Sequence, residues 1–231
     1  MILGAMQPYF MPYIGYFQLM KAVDKYVIFN DGNYIRHGWV ARNYILMGQE
    51  KRMFILTLQG ASSNRLFMEI QILDNFVKLR KTLETYYAKA PFFKSVMELM
   101  NEIFSYPEKR LDLFIKNSFE LILSYLDIKT ELLLSSELHK DTTLKGKYRA
   151  MEFCHVLNAD TYYNAIGGQE LYDKNEFKEN GISLYFVKTN ENLQYKQFSN
   201  TAFVPNLSMI DVLMFNSPEE TNLLLDQYQL V

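Results

Sequence analysis

Residues 4–31, GAMQPYFMPYIGYFQLMKAVDKYVIFND, leave this chain few choices of fold. They read as strand, loop, helix and strand. Residues 1–6 are a short apolar run suited to a buried strand. Pro8 and Pro12 follow; each fixes φ, lacks a donor N–H and pushes its predecessor toward extended geometry. Pro12 suits a first helical turn, and Tyr16, Phe17, Leu19, Met20 and Val23 recur after it at helical spacing. A second apolar run at 26–29 closes on Asn30-Asp31-Gly32, a turn. A strand–helix–strand unit this short predicts a parallel pair with a right-handed crossover. Open α/β sheets bind ligands beyond the carboxyl ends of their strands, which places residues 7–16 and Asp31 at one mouth. Tyr9, Phe10, Tyr13 and Tyr16 make that loop unusually aromatic, and such rings are costly to expose unless they pack or bind.

The α/β pattern continues along the chain. Residues 31–44, DGNYIRHGWVARNY, carry the single tryptophan, Trp39, close to Arg36, His37, Arg42 and Asn43. Two short strands around Gly38 would set these side chains on a hairpin. On a strand, Arg42 and Asn43 point to opposite faces, so no more than one of them need face the mouth. Further strands are expected at 51–58 and 69–73. From 75 to 126 the period turns helical, with stripes such as Leu79, Leu83 and Tyr87, then Val96, Met100 and Ile103, then Phe114, Phe119 and Ile122, interrupted at Ala90-Pro91 and Tyr106-Pro107. These stripes are read as packing faces, which an amphipathic helix needs anyway. Strands are expected at 131–134, 161–164 and 182–187, with helices at 151–157 and 173–179 between them, the latter stopping at Asn180-Gly181. Ser208 can cap a helix through Phe215, with Asp211 in its first turn, and Ser217-Pro218-Glu219-Glu220 has a capping box that opens the last helix. The expected fold is α/β: one domain over 1–231, a mainly parallel sheet with flanking helices, and a helical insertion at about 75–126.

Composition narrows the function classes. With 49% of its residues apolar, the chain can bury a real core. A net charge of −2 argues against a nucleic-acid partner, whose phosphates select for basic proteins. One cysteine, Cys154, allows no internal disulfide; with Phe153 and Val156 beside it, it reads as a buried thiol. Residues 1–6 lack the basic flank of a signal peptide and no apolar run is long enough for a transmembrane segment, so a soluble, cytoplasmic protein is expected, with peripheral membrane contact left open. The three histidines, His37, His139 and His155, form no ligand pair, and no metal is expected. Neither Gly-x-x-x-x-Gly-Lys-Ser/Thr nor Gly-x-Ser-x-Gly occurs. Lys145, Lys147 and Arg149 read as a solvated basic loop or, more weakly, as one facing an anion. Gly167-Gly168, at the end of an expected strand, suits close backbone approach to a ligand or a tight turn.

Four blocks in order give the chain a resemblance to a known family. They are Gln7 through Phe17 (QPYFMPYIGYF), Gly38-Trp39 with Arg42-Asn43, Gly167-Gly168 with Leu171-Tyr172, and Phe203 through Asp211 (FVPNLSMID). Their order and spacing resemble the WbqC-like proteins. That resemblance implies a bacterial protein associated with surface polysaccharide or O-antigen clusters. The implied activity is a small-molecule transferase using a nucleotide-linked sugar or an activated acyl donor, or else a non-catalytic ligand-binding or glycan-assembly protein. A second, weaker resemblance is to nucleotidyltransferase-like α/β folds, which open with a strand, a loop ending His-x-Gly-His and a helix. Tyr13-Ile14-Gly15-Tyr16 stands at that place, and tyrosine stays neutral where histidine can become a cation. The implied ligand is a small anionic molecule; cofactor and oligomeric state are left open. Gln7, Tyr13, Gly15, Tyr16, Trp39, Arg42, Asn43, Gly167, Gly168 and Ser208 are the expected substrate-binding residues, and His37 or Asp211 the expected proton carrier. Within that set Gly15 and Gly168 would admit the ligand, Tyr13 and Tyr16 would stack or donate, and Arg42 would hold an anion. Capping alone also accounts for Ser208 and Asp211, and helix–strand packing for Gly15.

Overall fold

A computed structural model describes residues 1–198 and 202–231. The chain begins in the middle of its sheet. Strand β1 (Ile2–Met6) leads through helix α1 (Ile14–Lys21) to β2 (Lys25–Ile28) alongside it, in parallel. Two small antiparallel ladders come next, β3 (Arg42–Met47) with β4 (Glu50–Ile55) and β5 (Leu58–Gln59) with β6 (Gln71–Ile72). Three helices follow, α2 (Val77–Tyr87), α3 (Phe93–Ser105) and α4 (Leu111–Tyr125), before the chain returns to the sheet as β7 (Glu131–Leu134) beside β2. Helix α5 (Lys147–Leu157) then carries it back to the other side of β1, where β8 (Thr161–Ala165) pairs in parallel. Helix α6 (Lys174–Glu179), β9 (Ser183–Thr189), helices α7 (Met209–Phe215) and α8 (Pro218–Leu225), and β10 (Tyr228–Leu230) complete the chain. The sheet runs β10-β9-β8-β1-β2-β7, parallel except for β10 on β9. Taking the five parallel strands in chain order, this is the doubly wound 3-2-1-4-5 pattern, and the winding reverses between β1 and β8.

Alternation along the strands builds two cores. Leu3 and Ala5 of β1, Val27 of β2, Tyr162 of β8 and Leu184 and Phe186 of β9 face α5 and α6, where Phe153, Cys154 and Phe177 meet them. Tyr26, Ile28, Tyr163 and Val187 face the opposite way, toward α1, α7, α8 and the α2–α4 block. A sheet covered on both faces explains why its strands read as unbroken apolar runs. Helix α1 is buried over six of its eight residues. Its one buried polar side chain, Gln18, is satisfied by donating to the carbonyls of Leu224 and Gln227 and accepting from Thr189. The expected breaks at Ala90-Pro91 and Tyr106-Pro107 separate α2, α3 and α4. Burial pushes the Cys154 thiol up to about 12.

Three details differ from the sequence reading. The hairpin turns at Gly48, whose φ of +70° lets the chain reverse within two residues, and not at Gly38. Around Gly38 the chain coils through turns, with the left-handed conformation taken by His37 at φ +62°. The terminal strand β10 went unanticipated: only three residues long and exposed at the sheet edge, it has almost no apolar pattern to read.

Candidate functional site

The switch point between β1 and β8 opens into a cleft of about 450 Å³. Its floor is the carboxyl end of the sheet. Met6 ends β1 and Gln7 follows it, Phe29 follows β2, and Ala165 ends β8 with Gly167 and Gly168 after it. Arg149 of α5 forms one wall, and Tyr13 and Tyr172 others. Gly168 has a packing reason to lack a side chain: a Cβ there would fall 2.7 Å from the Asn164 amide nitrogen and 3.3 Å from the Tyr172 ring. Gly167 differs, because a Cβ there would meet nothing within 4 Å. Its backbone is exposed at the rim of the cleft, free to be approached.

The cleft has a cationic side. The Asp31 carboxylate, just past β2, receives the Lys140 ammonium at 2.8 Å, the Arg149 guanidinium at 3.4 Å and the Ser135 hydroxyl. Lys140 is nearly sealed from solvent, its side chain 2% exposed. Burial pulls the Asp31 pKa up, but Lys140 and Ser135, helped by Arg149, outweigh it and hold the carboxyl below the usual carboxylate range. One carboxylate thus faces two cations. Arg149 further donates to the carbonyls of Leu144 (2.8 Å) and Thr142 (2.7 Å), which fixes the guanidinium against the Phe29 ring. Those bonds and the long one to Asp31 engage three of its five N–H donors, leaving capacity toward the cleft. Behind it, Asn30 at the end of β2 bonds Ser136 at 2.9 Å and the buried Asp112 of α4 at 2.7 Å, so the mouth rests on a fixed polar scaffold.

A second cleft, of about 380 Å³, lies on the other side of Tyr13. Tyr9, Tyr13, Trp39 and Tyr44 line it, with Lys51 and Asn206. One backbone carbonyl is a shared junction on this side of the protein. Met11 sits at φ +47°, a conformation L side chains seldom adopt. Its carbonyl accepts from Asn43 Nδ2 at 2.6 Å and from the Ser208 hydroxyl at 2.8 Å, both fully or nearly buried. Ser208 in turn caps α7 through Ile210 N, and its own N–H donates to the Tyr44 carbonyl at 2.8 Å. The loop before α1, the strand β3 and the start of α7 are joined there, and Tyr13 is presented between the two clefts as a result.

The structure thus distributes the sequence-predicted residues. Gln7, Tyr13, Gly167 and Gly168 line the switch-point cleft; Tyr13, Trp39 and Asn43 line the aromatic one. Tyr16 is buried, its hydroxyl donating to the Gln7 carbonyl, and burial raises its pKa. Over Gly15 the space is taken: a Cβ would fall 2.5 Å from the Tyr13 ring and 2.9 Å from the Thr189 hydroxyl. Arg42 stacks on Trp39 at 5.1 Å and donates to the His37 carbonyl, so it lines neither cleft. His37 is exposed and also lines neither. Asp211 is fully buried, receiving the hydroxyls of Tyr195 (2.6 Å) and Tyr87 (2.7 Å) and the Gln197 amide (2.9 Å). Burial raises its pKa against those three donors. Ser208 acts through Met11 and α7, away from both openings. Lys140 was beyond local pattern; Arg149 stood in the basic loop read only weakly as facing an anion, and Asp31, a carboxylate placed at the mouth, was the further signal for buried cations.

Comparison with known proteins agrees with this layout in extent. The family model described as WbqC-like protein family matches residues 7–223, from the loop before α1 into α8. An uncharacterized protein of Mycobacterium tuberculosis, Rv1507c, is 26% identical over 215 residues, covering 91% of each chain. No solved structure matches the chain. Among the described residues, no helix is long and apolar enough to cross a membrane.

Proposed function

The chain belongs to the WbqC-like protein family, and from that premise we propose that it is a small-molecule transferase of bacterial surface polysaccharide assembly whose donor carries an anionic group, as a nucleotide-linked sugar or an acyl-CoA does. The observation that carries the reading is the switch-point cleft: Arg149 faces it with unused donors, Gly167 opens its rim, and the local charge is two cations to one carboxylate. Arg149 holds the anionic group, the Gly167 backbone lies against it, and the Tyr13 and Tyr172 hydroxyls orient it. Lys140 and Asp31 keep the guanidinium in place without meeting the donor themselves.

A second reading has its own observation. Among the described residues lining either cleft there is no carboxylate or imidazole, which suits a protein that binds and presents a ligand without moving a proton. One experiment addresses both. Purified protein is melted with nucleotides, nucleotide sugars and acyl-CoA, since a ligand selective for the native state raises its apparent stability. At least one anionic ligand is expected to raise the midpoint, and Arg149→Gln to abolish that shift. If no such ligand shifts the melt, or if Arg149→Gln shifts as the native chain does, the donor cleft is elsewhere. A shift without turnover toward any acceptor favours the second reading.

A further inference from the structure

The aromatic cleft beside Tyr13 is not needed to hold the anionic donor. Among the described residues, four tyrosine and tryptophan rings line it, with the Lys51 ammonium and the exposed Asn206 amide beside them. The Asn43 amide is already committed to the Met11 carbonyl and the Tyr44 N–H. Trp39 is 48% exposed, yet held: Arg42 stacks on it at 5.1 Å, and its ring lies 5.8 Å from Tyr44. A large apolar ring kept still and half in water is poor packing and good recognition.

The mixture of groups favours one class of occupant: exposed aromatic faces beside hydroxyl, ammonium and amide donors. Trp39 and Tyr44 meet at 52°, and Lys51 lies over the Tyr44 ring at 4.5 Å. Trp39 and Tyr44 form no parallel pair to sandwich a planar base; one face alone can still stack a base, so nucleosides are the rival occupants in the test. A puckered sugar ring fits the V that the two rings make. It lays its C–H face on one aromatic wall and turns its hydroxyls to the tyrosine hydroxyls, Lys51 and Asn206. Tyr13 lines both clefts, so a molecule here ends where the donor begins.

We propose that the aromatic cleft is a second binding subsite that takes a pyranose ring, the acceptor end of the reaction; the acceptor role rests on the transferase reading above, while the pyranose site itself does not.

Trp39 is the chain's sole tryptophan, so its emission reports on this cleft alone. The titrants are the methyl glycosides of glucose, galactose, N-acetylglucosamine and glucuronic acid, with adenosine and uridine as planar alternatives. A saturable change in Trp39 emission is expected for at least one glycoside and for neither nucleoside. Tyr44→Ala should weaken that glycoside by about tenfold. Arg149→Gln should leave its titration within about twofold of the native chain, because the two clefts take different chemistry. Four silent glycosides, a response to nucleosides alone, or loss of the glycoside response in Arg149→Gln would each overturn the proposal. The melts with anionic ligands fail or succeed separately, so a lost donor site and a lost sugar site are told apart.

Discussion

The Met11 carbonyl should behave as a shared keystone, and a double-mutant cycle tests that directly. Asn43→Ala and Ser208→Ala each remove one of the two donors that reach it. After either change the carbonyl keeps one partner, so the loss at that atom is one net hydrogen bond, about 1 kcal/mol. Ser208→Ala also removes the α7 cap on Ile210 N, another ~1 kcal/mol. Asn43→Ala also frees the Tyr44 N–H and empties a buried site, for a further ~1–2 kcal/mol. The double variant differs in kind. A buried carbonyl then has no donor at all, which costs its full desolvation of about 1–3 kcal/mol. Met11 would at the same time keep its positive φ with only the flanking bonds of Phe10 and Pro12 to hold it. The pair should therefore be super-additive by about 1–2 kcal/mol, well beyond the ~0.3–0.5 kcal/mol scatter of independent sites. Urea unfolding of the four proteins, read at midpoint with a common slope, measures it. Strict additivity would refute the idea that the Met11 carbonyl is a shared junction of these three segments, and with it the account of how Tyr13 is placed.

Three further outcomes follow from the same coordinates. Asp211→Ala leaves the Tyr87 and Tyr195 hydroxyls without their acceptor and takes one of two from the Gln197 amide, which keeps the Val204 carbonyl; it should cost about 3 kcal/mol in chemical denaturation, and a neutral variant would mean the hydroxyls find other acceptors. Lys140→Met should cost about 2 kcal/mol at neutral pH, between the worth of exposed and buried pairs, because Asp31 is partly open to water. The Asp31 pKa is lowered in the folded state, so its contribution is present above the unfolded value and lost as pH falls through the folded one; the variant should therefore show a flatter fall in stability below about pH 4, and an unchanged acid profile would refute the assignment. Gly15→Ala gains about 1 kcal/mol of helix propensity against ~1–3 kcal/mol of overpacking on Tyr13 and Thr189, so its melt should drop by little while Trp39 emission, which reads the displaced Tyr13, changes in the absence of any ligand.

What the chain disclosed in sequence, and what it withheld, divides by the range of the interaction. Local chemistry was legible. Ser217 and Glu220 form their box, Ser208 caps α7, and the two X-Pro breaks separate the helices, because each of these depends on neighbours within a few residues. The parallel sheet was legible too, since a strand–helix–strand unit so short has only one common way to close. The site was not legible in the same sense. Sequence put Gln7, Tyr13, Trp39 and Asp211 in one mouth, while the structure sets two clefts on either side of Tyr13 and buries Asp211 apart from both. Nothing in a linear reading says that Asn43 and Ser208, 165 positions apart by their own numbers, both serve the carbonyl of Met11. Motif reasoning assigned such residues to substrate because they stood in recognisable blocks; a block is also what results when distant segments must meet at one strained peptide. Arg149 shows the converse. In sequence it was one of several cations before a helix, indistinguishable from Lys145 and Lys147. The fold separates them, because only Arg149 lies on the face of α5 that meets Phe29 and Asp31 at the end of β2. On the proposed reading, binding chemistry is a property of where the sheet reverses its winding, and the residues that would supply it are chosen by that place and not by their neighbours in the chain.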